Sequence, residues 1–140
     1  MSTPNYTHRI TVQASTEHLS EVRDFVASYA TKHGVSSHEV EDIRLAVDEA
    51  YTNIIKHAYQ YDDSRFVEIV MGSEKDEFWV SLKDNGKSFN PTEYPDPDVE
   101  ERIKKKERGG VGVYLMKKLM DRIEYHKHDG TNEIRMIKKL

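Results

Sequence analysis

The chain is 140 residues long, 36% hydrophobic and 33% charged, with no cysteine and a formal net charge of −4. That composition suits one domain with a modest core and excludes disulfide frameworks, thiolate catalysis and cysteine-ligated zinc. It supplies no basic field to draw the chain to nucleic acid or an anionic membrane, and no segment approaches the ~20 apolar residues that span a bilayer.

Met1 to Arg9 is polar and lacks an apolar signal core, so a cytoplasmic location is expected. Residues 8–14 (HRITVQA) alternate and are rich in β-branched types, which predicts a first strand. Ser15 or Thr16 offers an N-cap; Leu19, Val22, Phe25, Val26 and Tyr29 then follow at helical spacing, and Gly34 is a helix stop. After Ser36-Ser37 a second helix is predicted to about Ala58, burying Ile43, Ala46, Val47, Ala50 and Ile54. Phe66–Met71 and Phe78–Lys83 read as strands joined by the polar connection Gly72–Glu77.

Residues 87–109 contain Pro91, Pro95 and Pro97, many charges and few apolar side chains. A loop of that length in a compact domain is either disordered or functional. Within it Lys104-Lys105-Lys106, flanked by acids, is too short a run for DNA binding. A third helix is predicted from Val111 to Met120, with Val111, Leu115 and Leu119 on one face. Arg122–His128 and Glu133–Ile137 follow as two strands around a turn at Asp129-Gly130. The order β-α-α-β-β-loop-α-β-β favours a single α+β domain over residues 1–140. It would be a two-layer sandwich whose mostly antiparallel, mixed sheet is covered by helices on one face.

Three polar features carry chemistry. Glu49 and Asn53 stack four residues apart on the second helix, with Lys56 three residues on and His57 at the edge. This stripe lies about a quarter turn from the core stripe, where a cleft can form. An acid, an amide and a cation there can orient a hydroxyl, a metal ion and a phosphate, although the spacing alone equally describes an ordinary polar helix face. Phe78–Lys83 runs into Asp84-Asn85-Gly86, a turn string whose carboxylate can accept from an exocyclic amine such as adenine N6. Gly109-Gly110-Val111-Gly112 opens the third helix, where free N–H groups favour an anion. It is neither a P-loop nor a dinucleotide fingerprint, since no Gly-Lys-Ser/Thr and no third spaced glycine follow. His126 and His128 alternate on a strand without further metal ligands, and Trp79 reads as strand packing.

Taken together, the three boxes resemble the GHKL, or Bergerat-fold, ATPases, and most closely their anti-sigma-factor serine kinase branch, the RsbW/SpoIIAB-like proteins. EDIRLAVDEAYTNIIKHAY (Glu41–Tyr59) resembles the N-box, DNGKSF (Asp84–Phe89) the first glycine box, and GGVGVYLMKKLMD (Gly109–Asp121) the second. The resemblance implies a general base at Glu49, a Mg²⁺ ligand at Asn53 and a phosphate contact at Lys56. It implies an adenine-reading carboxylate at Asp84, with Gly86 and Phe89 in the same box letting the base approach. Gly109, Gly110 and Gly112, with Val111 and Val113 beside them, match the phosphate-facing loop. Residues 87–108 match the ATP lid, and Arg108 is placed to reach the γ-phosphate. Thr131 matches a threonine near adenine, although Asn132-Glu133 interrupts the usual apolar alternation.

The implied activity is phosphoryl transfer from Mg-ATP to a serine or threonine of an anti-anti-sigma factor. A homodimer of the chain would also sequester a sigma factor. The alternative is a non-catalytic ATP-binding regulator that sequesters a different protein; retention of Glu49 favours the kinase. A histidine-kinase catalytic domain and a plain ATP hydrolase are the further options.

Overall fold

A computed structural model describes residues 7–90, 92 and 111–140, with Val111 described by its backbone only. Along the chain run β1 (Thr7–Gln13), a 3₁₀ turn (Thr16–His18), α1 (Leu19–Lys32), α2 (Ser37–Asn53) and a π turn (Ile54–Ala58). Then come β2 (Phe66–Glu74), β3 (Glu77–Asp84), α3 (Val111–Leu119), β4 (Arg122–His128) and β5 (Thr131–Lys139). The strands form one sheet in the order β1-β2-β3-β5-β4. Every neighbouring pair is antiparallel, where a mixed sheet was expected.

The two layers follow from strand alternation. Val67, Ile69 and Met71 of β2, Phe78, Val80 and Leu82 of β3, and Ile134 and Met136 of β5 share the inward face. Against them lie Val22, Val26 and Tyr29 of α1, Ile43, Val47 and Tyr51 of α2, and Val113 and Met116 of α3. The Tyr51 hydroxyl accepts from Ser15 N–H at 3.2 Å and lies 2.7 Å from Gln13 O, tying α2 to the end of β1. No helix among the described residues is long and apolar enough to cross a membrane.

Helix ends follow the residues expected to set them. Gly34 adopts φ +83°, and Val35 N–H reaches back to Ala30 O at 3.1 Å, the glycine-terminated closure of a helix. Ser36 Oγ accepts from Glu39 N–H at 3.3 Å and so caps α2. The α-helical geometry of α2 ends earlier than the apolar spacing suggests. From Ile54 to Ala58 the turn widens to π, closed by Tyr59 N–H to Ile54 O at 3.0 Å.

Two expectations change. The connection predicted over Gly72–Glu77 shrinks to Lys75-Asp76, with Lys75 at φ +54°. Gly72 and Ser73 belong to the ladder, opposite Trp79 and Phe78. Gly72 reads as a loop residue in sequence, but it is glycine because the Trp79 indole lies over it; a Cβ there would sit 2.6 Å from the ring. On α3 and just past its end the best-buried row is Val113, Met116 and Met120, while Leu115 is 41% exposed and Leu119 packs only partly. Both rows have helical spacing, so packing against α2 and the sheet makes the choice.

Trp79 lies on the sheet face away from the helices, with the Arg135 guanidinium 4.3 Å above its ring. Gly72→Ala is expected to cost about 1–3 kcal/mol by overpacking and to shift the emission of Trp79, the only tryptophan. Urea unfolding followed by fluorescence measures both; an unchanged midpoint and spectrum would refute the contact.

Candidate functional site

The site forms where α2, the end of β3 and the start of α3 meet. β3 carries Asp84 inward at the end of the Phe78–Val80–Leu82 row, so its carboxylate enters the helical layer and is only 7% exposed. Gly86 N–H donates to Asp84 Oδ1 at 2.9 Å, the Asx turn expected of Asp-Asn-Gly. Burial pushes the Asp84 carboxyl above the usual carboxylate range, against the lowering effect of hydrogen bonds from Asn132 and Gly86 and the nearby Arg65 charge.

Asp84 and Asn53 line one pocket, walled by Ala50, Ile54, Ala58, Phe89, Met116, Tyr125 and Ile134. A mostly apolar lining with two convergent polar groups suits a flat heteroaromatic ligand. Asn53 Nδ2 is buried and has no hydrogen-bond partner among the described residues. An amide left so is free to serve a bound group. Phe89 stacks on His57 with ring centres 4.5 Å apart and planes 13° apart. Burial, and then Lys56, push the His57 imidazole below its ordinary value.

Glu49 is half-buried one turn before Asn53 and touches the start of α3. A Cβ on Gly112 would overlap Glu49 Oε2, so only glycine lets α3 pass this close to the carboxylate. Desolvation raises the Glu49 carboxyl above its ordinary value, and the Asp48 charge adds to the rise. The helical acid is thereby set toward the range useful to a general base.

The other sequence candidates are placed as follows. Lys56 is exposed, sits in the π turn beyond α2 and is not among the pocket-lining residues. Gly86 is packed from the helix side: a Cβ would overlap the Ala58 carbonyl and lie 2.8 Å from the Tyr59 ring. The close approach found at this glycine is thus to the end of the π turn. Val113 is buried in the core at 4% exposure. The Thr131 hydroxyl donates to Asn85 Oδ1 at 3.2 Å, and Thr131 does not line the pocket. Alternation along β5 puts the next residue on the inward face instead. Arg108, Gly109, Gly110 and most of the expected lid (87–108) lie outside the described residues, as does the side chain of Val111.

Two residues escaped the sequence reading. Tyr125 of β4 lines the pocket, and its hydroxyl accepts from Phe89 N–H at 3.2 Å. Asn132, 2% exposed, reaches Asp84 with its amide. The period-two row Asn132, Ile134, Met136 was the available signal, and it was read only as a broken apolar pattern. His126 and His128 are exposed, and no metal-ligand cluster occurs among the described residues.

A two-layer fold of helices on an antiparallel sheet, with an acid–amide helix facing a post-strand aspartate, defines a class of nucleotide-binding domain. The family profile of the histidine kinase-like ATPase domain matches residues 12–138, and the chain belongs to that family. ATP is therefore the nucleotide this fold handles.

Within the family the chain stands on the RsbW branch. It is 32% identical over 125 residues to the serine-protein kinase RsbW of Bacillus subtilis, covering 86% of this chain and 78% of that one. It is 31% identical over 124 residues to the serine-protein kinase RsbW of Oceanobacillus iheyensis, with the same shares covered. Among solved structures, SiaB–SiaC from Pseudomonas aeruginosa shares the fold, with TM-score 0.70 and 12% identity over 93% of this chain and 88% of that one. So do the RsbU and RsbW domains of Rv1364c from Mycobacterium tuberculosis, with TM-score 0.69 and 16% identity. That match covers 98% of this chain, which spans only 33% of the longer protein.

The raised Glu49 carboxyl has a consequence for stability. A group whose pKa is raised on folding contributes stability at low pH that is lost as pH rises through the folded value. Glu49→Gln removes that loss. The variant is expected to melt above wild type at neutral pH and to converge with it below about pH 4. Thermal melts across pH measure the difference; parallel curves would contradict the raised carboxyl of the half-buried Glu49.

Proposed function

We propose that this chain, as one domain over residues 1–140, binds Mg-ATP and transfers its γ-phosphoryl group to a serine or threonine of a protein partner. The observation that carries the reading is the convergence of Asn53 and Asp84 on one pocket, with Glu49, one helical turn before Asn53, set against Gly112. The kinase names of its RsbW relatives support the same reading.

In this account Asp84 accepts from the adenine exocyclic amine, and Phe89, Tyr125 and Met116, which line the same pocket, cover the base. The triphosphate runs toward the start of α3, where Gly109, Gly110 and Gly112, with Val111, present backbone N–H groups. Arg108 adds positive charge at the γ-phosphate, and Lys56 meets the phosphates from the π turn. The unpartnered amide of Asn53 fits a metal-binding role, its oxygen holding Mg²⁺ and its buried N–H left for a ligand acceptor. Magnesium, when bound, neutralises phosphate charge and usually takes only one or two protein ligands.

Glu49 accepts the proton of the attacking hydroxyl. As the new oxygen–phosphorus bond forms, the bond from the γ-phosphorus to the bridging oxygen breaks and ADP leaves. Positioning and charge neutralisation supply most of the rate in such transfers. Residues 87–108 act as the lid.

The phosphoacceptor is an anti-anti-sigma factor, and the ATP-bound homodimer sequesters a sigma factor in the cytoplasm. These partner assignments rest on the resemblance to the RsbW branch. Thr131, on the outer side of the Asn85 turn, has a supporting place in this scheme.

Glu49→Ala separates binding from chemistry. Its ATP affinity should stay within about threefold of wild type, while transfer to the phosphoacceptor falls by 10² or more. Labelled ATP with the partner protein reads both; normal transfer by the variant would remove Glu49 as the base. Tight ATP binding by wild type without transfer to any partner would leave a pure binding module.

A further inference from the structure

Asn132 stands directly across the β3–β5 ladder from Asp84, at the ladder's last pair. Its Nδ2 lies 2.9 Å from Asp84 Oδ1 and 3.0 Å from Gly86 O. Both neighbours are acceptors, so the amide nitrogen, with its two hydrogens, must face them. A hydroxyl in this place has one hydrogen and could serve only one of the two. The far end of the amide, Oδ1, faces Ser88 Oγ at 3.5 Å.

Asp84 Oδ1 also accepts from Gly86 N–H at 2.9 Å. Among the described residues both hydrogen bonds to the carboxylate therefore fall on Oδ1. Oδ2 is left for a group in the pocket that Asp84 lines. A carboxylate held this way presents one fixed acceptor and no donor. A neutral carboxyl in the same place gains an O–H, can turn over, and can donate to a carbonyl. Adenine offers an amine at C6, whereas guanine offers a carbonyl there.

We propose that Asn132 is a positioning residue that sets base specificity: by occupying Asp84 Oδ1, it holds the carboxylate as a one-oxygen acceptor that admits an exocyclic amine and rejects a carbonyl. The proposal rests on the ATP-binding reading and adds to it the residue that enforces the choice of base. Few other groups can set the charge of Asp84. Arg65 bonds Asn85 O at 2.9 Å from across the turn, and the Tyr59 phenol accepts Asn85 N–H at 2.9 Å. The imidazole of His57 lies behind Phe89 on the π turn. All three stay in place when Asn132 is changed.

Two variants test the assignment, with ATP and GTP affinities measured by calorimetry between about pH 5.5 and 8.5. Asn132→Asp puts two carboxyls in contact, and such a pair holds a shared proton with a raised pKa, kept on acidification and released as pH rises. Its ATP affinity should fall at least about tenfold at pH 8 and recover toward pH 5.5, where the shared proton restores a donor to Asp84. Wild-type affinity should not improve on acidification. Asn132→Ala removes the donor without adding charge; it should bind ATP more weakly and lose at least about tenfold of the ATP-over-GTP preference. Thermal melting of each variant, with the Trp79 signal, tracks folding separately.

Wild-type pH profiles and unchanged base preference in both variants would overturn the proposal. Asp84→Asn distinguishes the two levels. If that change abolishes ATP binding while the Asn132 variants behave as wild type, only the role of Asn132 fails. If wild type binds no ATP, or Asp84→Asn binds it fully, the nucleotide reading fails and this inference with it.

Discussion

The pocket exists because the Asp84–Gly86 turn is pressed onto the π turn that follows α2. Lys87 N–H donates to Ala58 O at 2.8 Å, and the missing side chain of Gly86 lets the two backbones meet. The Tyr59 hydroxyl accepts from Asn85 N–H and bonds to Phe66 O, so one phenol links the turn to the start of β2. Arg65 closes the set, bonding Asn85 O while its guanidinium lies 4.8 Å from the centre of the Tyr59 ring. These contacts place a strand-end carboxylate and a helical amide on the walls of one cavity.

The end of α2 is shaped for this contact. A helix leaves its last carbonyls without internal partners, and here Ala58 finds one in the facing turn. The π turn from Ile54 to Ala58 widens the helix just beyond Asn53, and Gln60 and Tyr61 then take φ +49° and +67°. Left-handed geometry in such residues costs on the order of 1–2 kcal/mol each. Burial of Ile54, Ile55, Ala58 and Tyr59, each under a tenth exposed, offsets that cost. One turn before Asn53, Glu49 lies so close to Gly112 that the identity of one residue on α3 is set by a carboxylate on α2.

Much of this was legible in the residues. Helix caps at Ser36 and Gly34, the Asp129-Gly130 turn and the limits of β4 followed from local chemistry that tertiary packing did not override. The Glu49–Asn53 row was readable because four-residue spacing on a helix is a rigid geometric statement. Lys56 follows in the turn that widens to π just after Asn53, so the α-helical spacing rule does not carry over to it. Gly72 and Gly86 show a second limit: each is glycine because of a distant neighbour, the Trp79 ring and the Ala58 carbonyl, which local sequence does not reveal. Asn132 was within reach of strand alternation, but a polar residue on an inward row looked like the end of the pattern until Asp84 was seen across the ladder.

The central claim is spatial, so the most direct measurement is residue-resolved NMR of the chain titrated with Mg-ATP. The account predicts that shifts cluster at the Asn53, Asp84, Gly86, Phe89, Tyr125 and Gly112 amides and leave β1 and the Trp79–Arg135 face unmoved. Saturable shifts confined to that outer sheet face, with the Asp84 turn and the start of α3 silent, would contradict it.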